Sequence, residues 1–526
     1  MNATRPQLPG LIHSLLNGDF YPHPTDNIQL IETHISWVIL TGPYAYKIKK
    51  PVDFGFLDFS TLEKRKLFCD EELRLNSRLA AEIYLEVINI TGTAERPCFD
   101  GEGEVIEYAV KMVQFSQDAQ LDHMLAAGTL QASHIDAIAV AVADFHQKIE
   151  TADNRSLYGD PEHVYQPVVE NFSQIRAHIS NKTYLEELER LEHWSQSTFE
   201  TLQTIFKQRK HDGFIRECHG DMHLRNIAWI DNRPVAFDCL EFNPELRWID
   251  VISEIAFLVM DLQDRQQARL GQRCLNTYLE RSGDYAGLGV LNFYLCYRAL
   301  VRAKVDAIRS QQTGISQQEQ LEAETDFHTY LQLAQTYTKT VTPQLFITRG
   351  VSASGKSTLT RQLLEHLGAI RIRSDVERKR LFNIHADEDS HASIDQGIYS
   401  TQASQKTYSK LVELAGTVLD AGYPVIIDAT CLKFEQRDPF HQLAIKKKLP
   451  CIILEFTASA DTLRQRIRSR KPGVSDADIE VLEHQLKTWQ PLEDHEQKLS
   501  VEINTDVPFE IDKLVDRIRR LTSKSQ

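Results

Sequence analysis

Two groups of residues in this chain have the types and spacings that phosphate chemistry requires. The first is Gly350-Val351-Ser352-Ala353-Ser354-Gly355-Lys356-Ser357, with Thr358 next. The pattern G-x-x-x-x-G-K-[ST] puts small residues where main-chain N–H groups must close around phosphates. Lys356 would then reach the β- and γ-phosphates, and Ser357 would hold Mg2+. An apolar run, Leu345-Phe346-Ile347-Thr348, leads into the motif and a helical pattern leaves it. That strand–loop–helix context argues against a Gly-rich surface loop, the plain alternative. ATP, or a close relative, with Mg2+ is the expected ligand.

Residues further on bear on what is done with the nucleotide. Asp428 closes the apolar run Val425-Ile426-Ile427 and is followed by Ala429, not by a glutamate that would activate water. That favours transfer to an acceptor over a hydrolytic motor, with Asp428 a second ligand of the metal. Asp375 falls just past the strand-like Ala369–Ile372 segment, with Arg378 one helical turn on. Strand ends of this kind face the ligand crevice of an open α/β sheet. There an aspartate can take a proton from a substrate hydroxyl, and an arginine can hold an anion or the moving phosphoryl group. Capping of the next helix is the plainer role for Asp375. Arg466 and Arg470 stand four apart on one helix face. On a segment that closes over ATP they would neutralise transition-state charge; a solvated basic helix is the alternative.

The second group is His219-Gly220-Asp221-Met222-His223-Leu224-Arg225-Asn226, with Asp238 beyond two apolar strand-like segments. Asp221 would orient and deprotonate an acceptor hydroxyl, Asn226 would bind Mg2+, and Asp238 would bind the metal that bridges the phosphates. The His-Gly-Asp triplet alone is weak; with Asn226 and Asp238 at these spacings it is specific. His219 is read as a support of the loop backbone, and His223 as a residue placed to touch substrate. His385, Asp387, Glu388, Asp389 and His391 read as a polar loop, not a metal site.

The elements that must carry these groups follow from hydrophobic periodicity. Strands are expected near residues 28–32, 37–40, 45–49, 85–90 and 105–113, with Gly42-Pro43 as a turn and a helix over about 61–81. After about residue 131 the pattern is helical to about 338, broken only by strand-like segments around the second group. At Thr342-Pro343 the pattern changes to regular strand–helix alternation, the mark of a doubly wound parallel sheet. Two domains are therefore expected, 1–340 and 341–526.

Composition limits the partners. The net charge is −15, with about +1 from Val341 onward and about −16 before it. So acidic an N-terminal part argues against nucleic-acid and membrane partners. No signal peptide and no bilayer-length apolar run is evident. The eight cysteines form no C-x-x-C pair, which fits reduced thiols in a cytoplasmic protein.

These motifs also carry resemblances. Residues 345–492 resemble the small P-loop kinases, namely polynucleotide 5′-hydroxyl kinase, gluconate kinase, zeta toxin and chloramphenicol phosphotransferase. The likeness rests on the Walker A run, Asp375 with Arg378, Asp428 and the lid-like arginines. It implies Asp375 as general base and Arg378 as a substrate or phosphate contact. Residues 28–262 resemble the aminoglycoside phosphotransferase and fructosamine kinase group, which share the protein-kinase fold of a small β lobe and a large helical lobe. That likeness implies an ATP-contacting lysine at Lys47, with Lys49 on the same strand face as second choice. It implies a glutamate partner at Glu72, preferred over Glu71. The turn before Trp37, Glu32-Thr33-His34, lacks the glycines that let backbone approach phosphate, so weaker nucleotide binding is expected there.

The reading is of two fused ATP·Mg2+-dependent phosphotransferase domains acting on hydroxyl groups of small molecules. Its rivals are a non-catalytic nucleotide-binding regulator in one domain (the first being the better candidate), a nucleic-acid end kinase, or a toxin- or resistance-type kinase. Acceptor pockets are built from scattered side chains, so the acceptor has no sequence signature.

Overall fold

Strand alternation in the first part of the chain sets up two faces, and both become buried. The computed structural model describes residues 8–55, 57–312, 315–384, 397–469 and 478–524. Its first six strands are β1 (Gln29–Glu32), β2 (Ser36–Leu40), β3 (Tyr44–Lys49), β4 (Tyr84–Thr93), β5 (Arg96–Phe99) and β6 (Val105–Val113). They form an antiparallel sheet in the order β1-β2-β3-β6-β4-β5. Along β3, Tyr46 and Ile48 enter one core with Trp37, Ile39, Ile88 and Ala109. Ala45, on the opposite face of β3, enters the other core with Leu40, Cys69, Tyr84 and Val110. Period-two alternation therefore turns Lys47 and Lys49 toward the Leu62–Ala80 helix. Thr61 caps that helix by accepting from the N–H of Lys64.

The larger part of this unit is helical, with Ala132–Lys148, Pro161–His178, Lys182–His211, Val251–Asp264 and Gln317–Tyr337 as main helices. Two short sheets carry the loops between them. In one, β7 (Ile215–Glu217) pairs antiparallel with β10 (Trp248–Asp250). In the other, β8 (Ile227–Ile230) pairs with β9 (Arg233–Ala236). A small β part and a large helical part give this unit the protein-kinase-like layout.

The second fold is α/β. Strands β11 (Leu345–Arg349), β12 (Ile370–Arg373), β13 (Val425–Asp428), β14 (Cys451–Thr457) and β15 (Ser500–Asn504) are all parallel, in the order β12-β13-β11-β14-β15. The central strands β11, β13 and β14 are mostly apolar and buried, as strands covered on both faces are, with polar residues toward their C-terminal ends. This is the doubly wound P-loop sheet. Strand β15 is an addition to the sequence reading; its alternation of Val501 and Ile503 with polar residues is short.

Contacts divide the chain into two compact units, Met1–Asp264 with Phe293–Thr338, and Arg265–Asn292 with Lys339–Gln526. The helix Ala268–Ser282 thus lies in the second unit. Its Gln272 Nε2 and Asn276 Nδ2 donate to the Ala369 carbonyl at 2.9 and 3.0 Å, and Asn276 Oδ1 accepts from the Arg371 N–H at 2.7 Å. These bonds satisfy the open edge of β12. All eight cysteines are free and seven are buried, in keeping with reduced thiols. Among the described residues no helix is long and apolar enough to cross a membrane.

Candidate active sites

In the first unit the loop after β7 carries Asp221, the short turn before β8 carries Asn226, and Asp238 follows β9. Asn226 Nδ2 donates to Asp221 Oδ2 at 2.9 Å and to the Asp221 carbonyl at 3.0 Å. His223 Nε2 stands 3.2 Å from the same carboxylate oxygen. Burial alone would raise the Asp221 pKa, but His223, His219 and Arg302 outweigh it and hold the carboxyl well below its usual range. Asp221 is thus held ionised. Asp238 adopts a left-handed backbone at φ +62, and its N–H donates to the Tyr84 hydroxyl at 3.1 Å. Its carboxylate is about half exposed and accepts from Lys47 Nζ at 2.5 Å.

Lys47 also meets Glu72 Oε1 at 2.7 Å, while Lys49 meets Glu72 Oε2 at 2.7 Å and pairs with Glu241. Both lysines therefore share Glu72, but only Lys47 is linked to Asp238. Glu71 faces away, toward Arg74 and Arg247. Burial pulls the Lys47 pKa down, yet Asp238, Glu72 and Glu241 together hold it well above the usual lysine value. Two ammonium groups face three carboxylates here. Burial raises Glu241, whereas the lysines overcome burial at Glu72 and lower it.

The backbone of the Asp221 loop is held from below by Glu254, a fully buried carboxylate in the apolar helix Val251–Asp264. It accepts from the N–H groups of His219 at 3.0 Å and Gly220 at 2.6 Å, and stands 3.1 Å from His146 Nε2. Asp261, two turns on, accepts from the Leu224 N–H at 2.9 Å. Arg298 donates to the Gly220 carbonyl at 3.2 Å. His219 supports the loop as expected, its Nε2 lying 2.8 Å from the Phe237 carbonyl. The ligand set of Asp221, Asn226, Asp238 and Lys47 fits a metal-bound nucleotide. The β1–β2 turn fits it less well: the N–H groups of Ile35 and Ser36 are engaged by Thr33 Oγ1 at 3.3 and 2.9 Å, and so are not offered to a phosphate.

In the second unit the P-loop joins β11 to the helix Lys356–Leu367. Gly350 sits at φ +156, and a Cβ there would lie 2.7 Å from the Phe456 carbonyl oxygen and from Ser354 Oγ. Ala353 and Gly355 take φ of +62 and +86, curling the loop into a concave row of N–H groups. Lys356 Nζ lies across it, donating to the Gly350 and Val351 carbonyls at 2.8 Å each. This cradle fits phosphates. The Ser357 side chain and the Asp428 carboxylate line the same cleft, and hard oxygen donors of this kind fit Mg2+. Asp428 also accepts from Thr360 Oγ1 at 3.2 Å.

The cleft has a volume of about 1200 Å3 and is lined as well by Thr358, Asp375, Arg378 and Arg466. Asp375 lies in the first turn of the helix Ser374–Leu381, whose N-cap is Arg373 with no side-chain cap bond. Asp375 is therefore not the N-cap residue, although its charge lies in the first turn, where the helix dipole favours it. Arg378 donates to the Ile398 carbonyl at 2.8 Å and to Ser404 Oγ at 3.2 Å, with its guanidinium 5.1 Å from the Tyr399 ring centre. Its buried Nε has no hydrogen-bond partner among the described residues. Arg466, on the helix Ala460–Arg468, donates to the Ala353 carbonyl at 3.3 Å and to Thr505 Oγ1 at 2.9 Å, so it rests on the P-loop backbone. Gln485 accepts from the Ser352 N–H at 2.7 Å. Arg470, and the polar loop from His385 to His391, lie outside the described residues.

Sequence reasoning missed Glu254, Glu241, Gln485, and the pair Arg371 and Arg373. A lone Glu254 in Val-Ile-Ser-Glu-Ile-Ala-Phe was a usable signal, since a charge in an apolar helix must be paired. Arg371 and Arg373, alternating with Ile370 and Ile372 in a parallel strand, were another.

Comparison with known proteins supplies relatives for both units. A family described as an AAA domain matches residues 345–492. The Mycobacterium tuberculosis protein Rv2004c is 33% identical over 462 residues, covering 87% of this chain and 90% of its own. That length exceeds either unit, so the alignment runs through both. Among solved structures, a choline/ethanolamine kinase family protein from Mesorhizobium loti covers 60% of this chain and 94% of its own, at 11% identity and a TM-score of 0.35. A gluconokinase from Sinorhizobium meliloti covers 35% of this chain and 92% of its own, at 19% identity and a TM-score of 0.25.

Proposed function

The chain belongs to the family of Mycobacterium tuberculosis Rv2004c, and from the geometry of its two sites we propose that it is an ATP·Mg2+-dependent phosphotransferase with two kinase-type sites. Each site would pass a γ-phosphoryl group to a hydroxyl of a small-molecule acceptor, in the cytoplasm and without nucleic-acid or membrane partners. The observation that carries this is one cleft of the P-loop unit, lined by Lys356, Ser357, Asp428 and Asp375, with the linked Asp221–Asn226 and Lys47–Glu72–Asp238 groups supporting the first unit. It brings phosphate-, metal- and hydroxyl-handling groups within one ligand's reach.

Bound ATP supplies the phosphoryl group, and Mg2+ screens its charge. In the P-loop unit, Lys356 and the loop N–H groups would hold the phosphates, and Ser357 and Asp428 would hold the metal. Asp375 takes the acceptor's proton, while Arg378 and Arg466 face the charge that develops on the moving group. In the first unit Lys47, fixed by Glu72, would contact the phosphates; Asp238 and Asn226 would hold the metal; Asp221 takes the proton. Glu254 keeps the Asp221 loop in place.

A second reading, that the first unit binds nucleotide as a regulator, is favoured by the engaged N–H groups of the β1–β2 turn. One experiment separates the two. A metabolite extract is incubated with γ-labelled ATP and the whole chain, or its Lys356→Ala or Asp221→Asn variant. Two labelled products, each lost with one variant, are expected. A single product that survives Asp221→Asn makes the first unit regulatory, and no product with any protein contradicts the phosphotransferase reading.

A further inference from the structure

The helix Ala268–Ser282 enters the P-loop unit long before the P-loop itself, and its side chains have two separable tasks. Gln272 and Asn276 dock it on the edge of β12. Glu280, one turn beyond Asn276, does something else. Its Oε2 accepts from Arg371 at 3.1 Å and its Oε1 from Arg373 at 2.9 Å. Arg371 is buried, donates to the Ser357 carbonyl at 3.1 Å, and stands 3.9 Å from Asp428 Oδ2. Arg373 lines the cleft next to Asp375.

A guanidinium keeps its charge in any protein environment. Deprived of its outer carboxylate, the Arg371 group has a short distance to travel before it pairs directly with Asp428. That pairing would take a carboxylate oxygen away from the metal. We propose that Glu280 is a positioning residue of the P-loop site: it holds Arg371 off Asp428 and so keeps that carboxylate available to Mg2+. A helix outside residues 345–492 thereby completes the site. This rests on Ser357 and Asp428 being the metal ligands, as proposed above.

The test is calorimetric ATP binding to the whole chain over a series of free Mg2+ concentrations, following the site that Lys356→Ala abolishes. Glu280→Gln is expected to raise the Mg2+ concentration for half-maximal tightening on the order of ten-fold, the low end of what one neighbouring charge does at a carboxylate. Affinity for ATP in chelator is not weakened. Adding Arg371→Gln removes the invading cation and returns the midpoint toward wild type. Asn276→Ala lowers the melting temperature but leaves the midpoint in place. If Glu280→Gln does not fold, Glu280→Asp, which keeps the charge but reaches less far, is expected to shift the midpoint partway. A wild-type midpoint in the Glu280 variant that folds overturns the proposal. So does an equal shift in Asn276→Ala, which would reduce the role to docking, or a double variant that stays shifted. A wild-type site whose ATP affinity ignores Mg2+, and is unaffected by Ser357→Ala, overturns the metal assignment itself.

Discussion

Replacing Glu254 with glutamine tests whether the Asp221 loop is held by one buried carboxylate. The side chain keeps its shape, but an NH2 group must now face one of the two main-chain donors from His219 and Gly220. Burial raises the Glu254 pKa, yet the bonds from His146 and from the His219 and Gly220 N–H groups bring it down to about 2 from 4.5. A shift of that size corresponds to about 3 kcal/mol of stability at neutral pH. Because the folded pKa is depressed, the contribution is full above the unfolded value near 4.5 and is lost as pH falls toward 2. About a quarter is gone by pH 4. Glu254→Gln is therefore expected to lower the melting temperature of the first unit by about 5 °C at pH 7, followed by calorimetry. The gap to wild type should narrow as pH is lowered from 6 to 4. Phosphoryl transfer at Asp221 should fall with it, while ATP binding at Lys356 is untouched. Unchanged melting at pH 7, or a gap that widens on acidification, refutes the reasoning.

Asp221→Asn is expected to keep Mg2+·ATP binding in the first unit and to lose about 10²–10⁴ in transfer rate. Asp238→Ala should instead weaken nucleotide binding in a Mg2+-dependent way, with Asn226→Ala between them; equal losses of melting temperature and no Mg2+ dependence would make all three mere loop supports. In the second unit, Asp375→Asn is expected to preserve ATP affinity and abolish transfer, read by product formation against titration calorimetry; transfer at the wild-type rate would leave Asp375 without a role as base. A polypeptide beginning at Lys339 lacks Gln272, Asn276 and Glu280, leaving Arg371 and Arg373 without their carboxylate. It is expected to melt below one that retains Arg265–Asn292, and equal melting by circular dichroism would show that this helix contributes nothing.

The two site sequences were legible because their chemistry is local. A P-loop needs its glycines and lysine in one turn of chain, and the aspartates and asparagine of the first unit lie on one loop and one hairpin. Lys47 and Glu72 needed more, a strand face and a helix face meeting, and only the likeness to a known fold pointed to them. The supports carried at most the signal of a charge among apolar residues, which names no partner. Glu254 reaches the Asp221 loop, and Glu280 reaches Arg371, across long stretches of chain. Sequence periodicity says that such a residue is buried on a helix but not which backbone it meets. The placement of Ala268–Ser282 was likewise hidden, because an amphipathic helix looks the same whichever core it joins.

Two kinase-type nucleotide sites in one chain is the central claim, and counting them is its most direct test. The whole chain is titrated with ATP in saturating Mg2+ by calorimetry, alongside Lys356→Ala and Asp238→Ala. Two binding events are expected, the tighter lost with Lys356→Ala and the weaker with Asp238→Ala, because the β1–β2 turn offers the phosphates fewer N–H groups than the P-loop does. A single event abolished by Lys356→Ala and indifferent to Asp238→Ala would contradict the account.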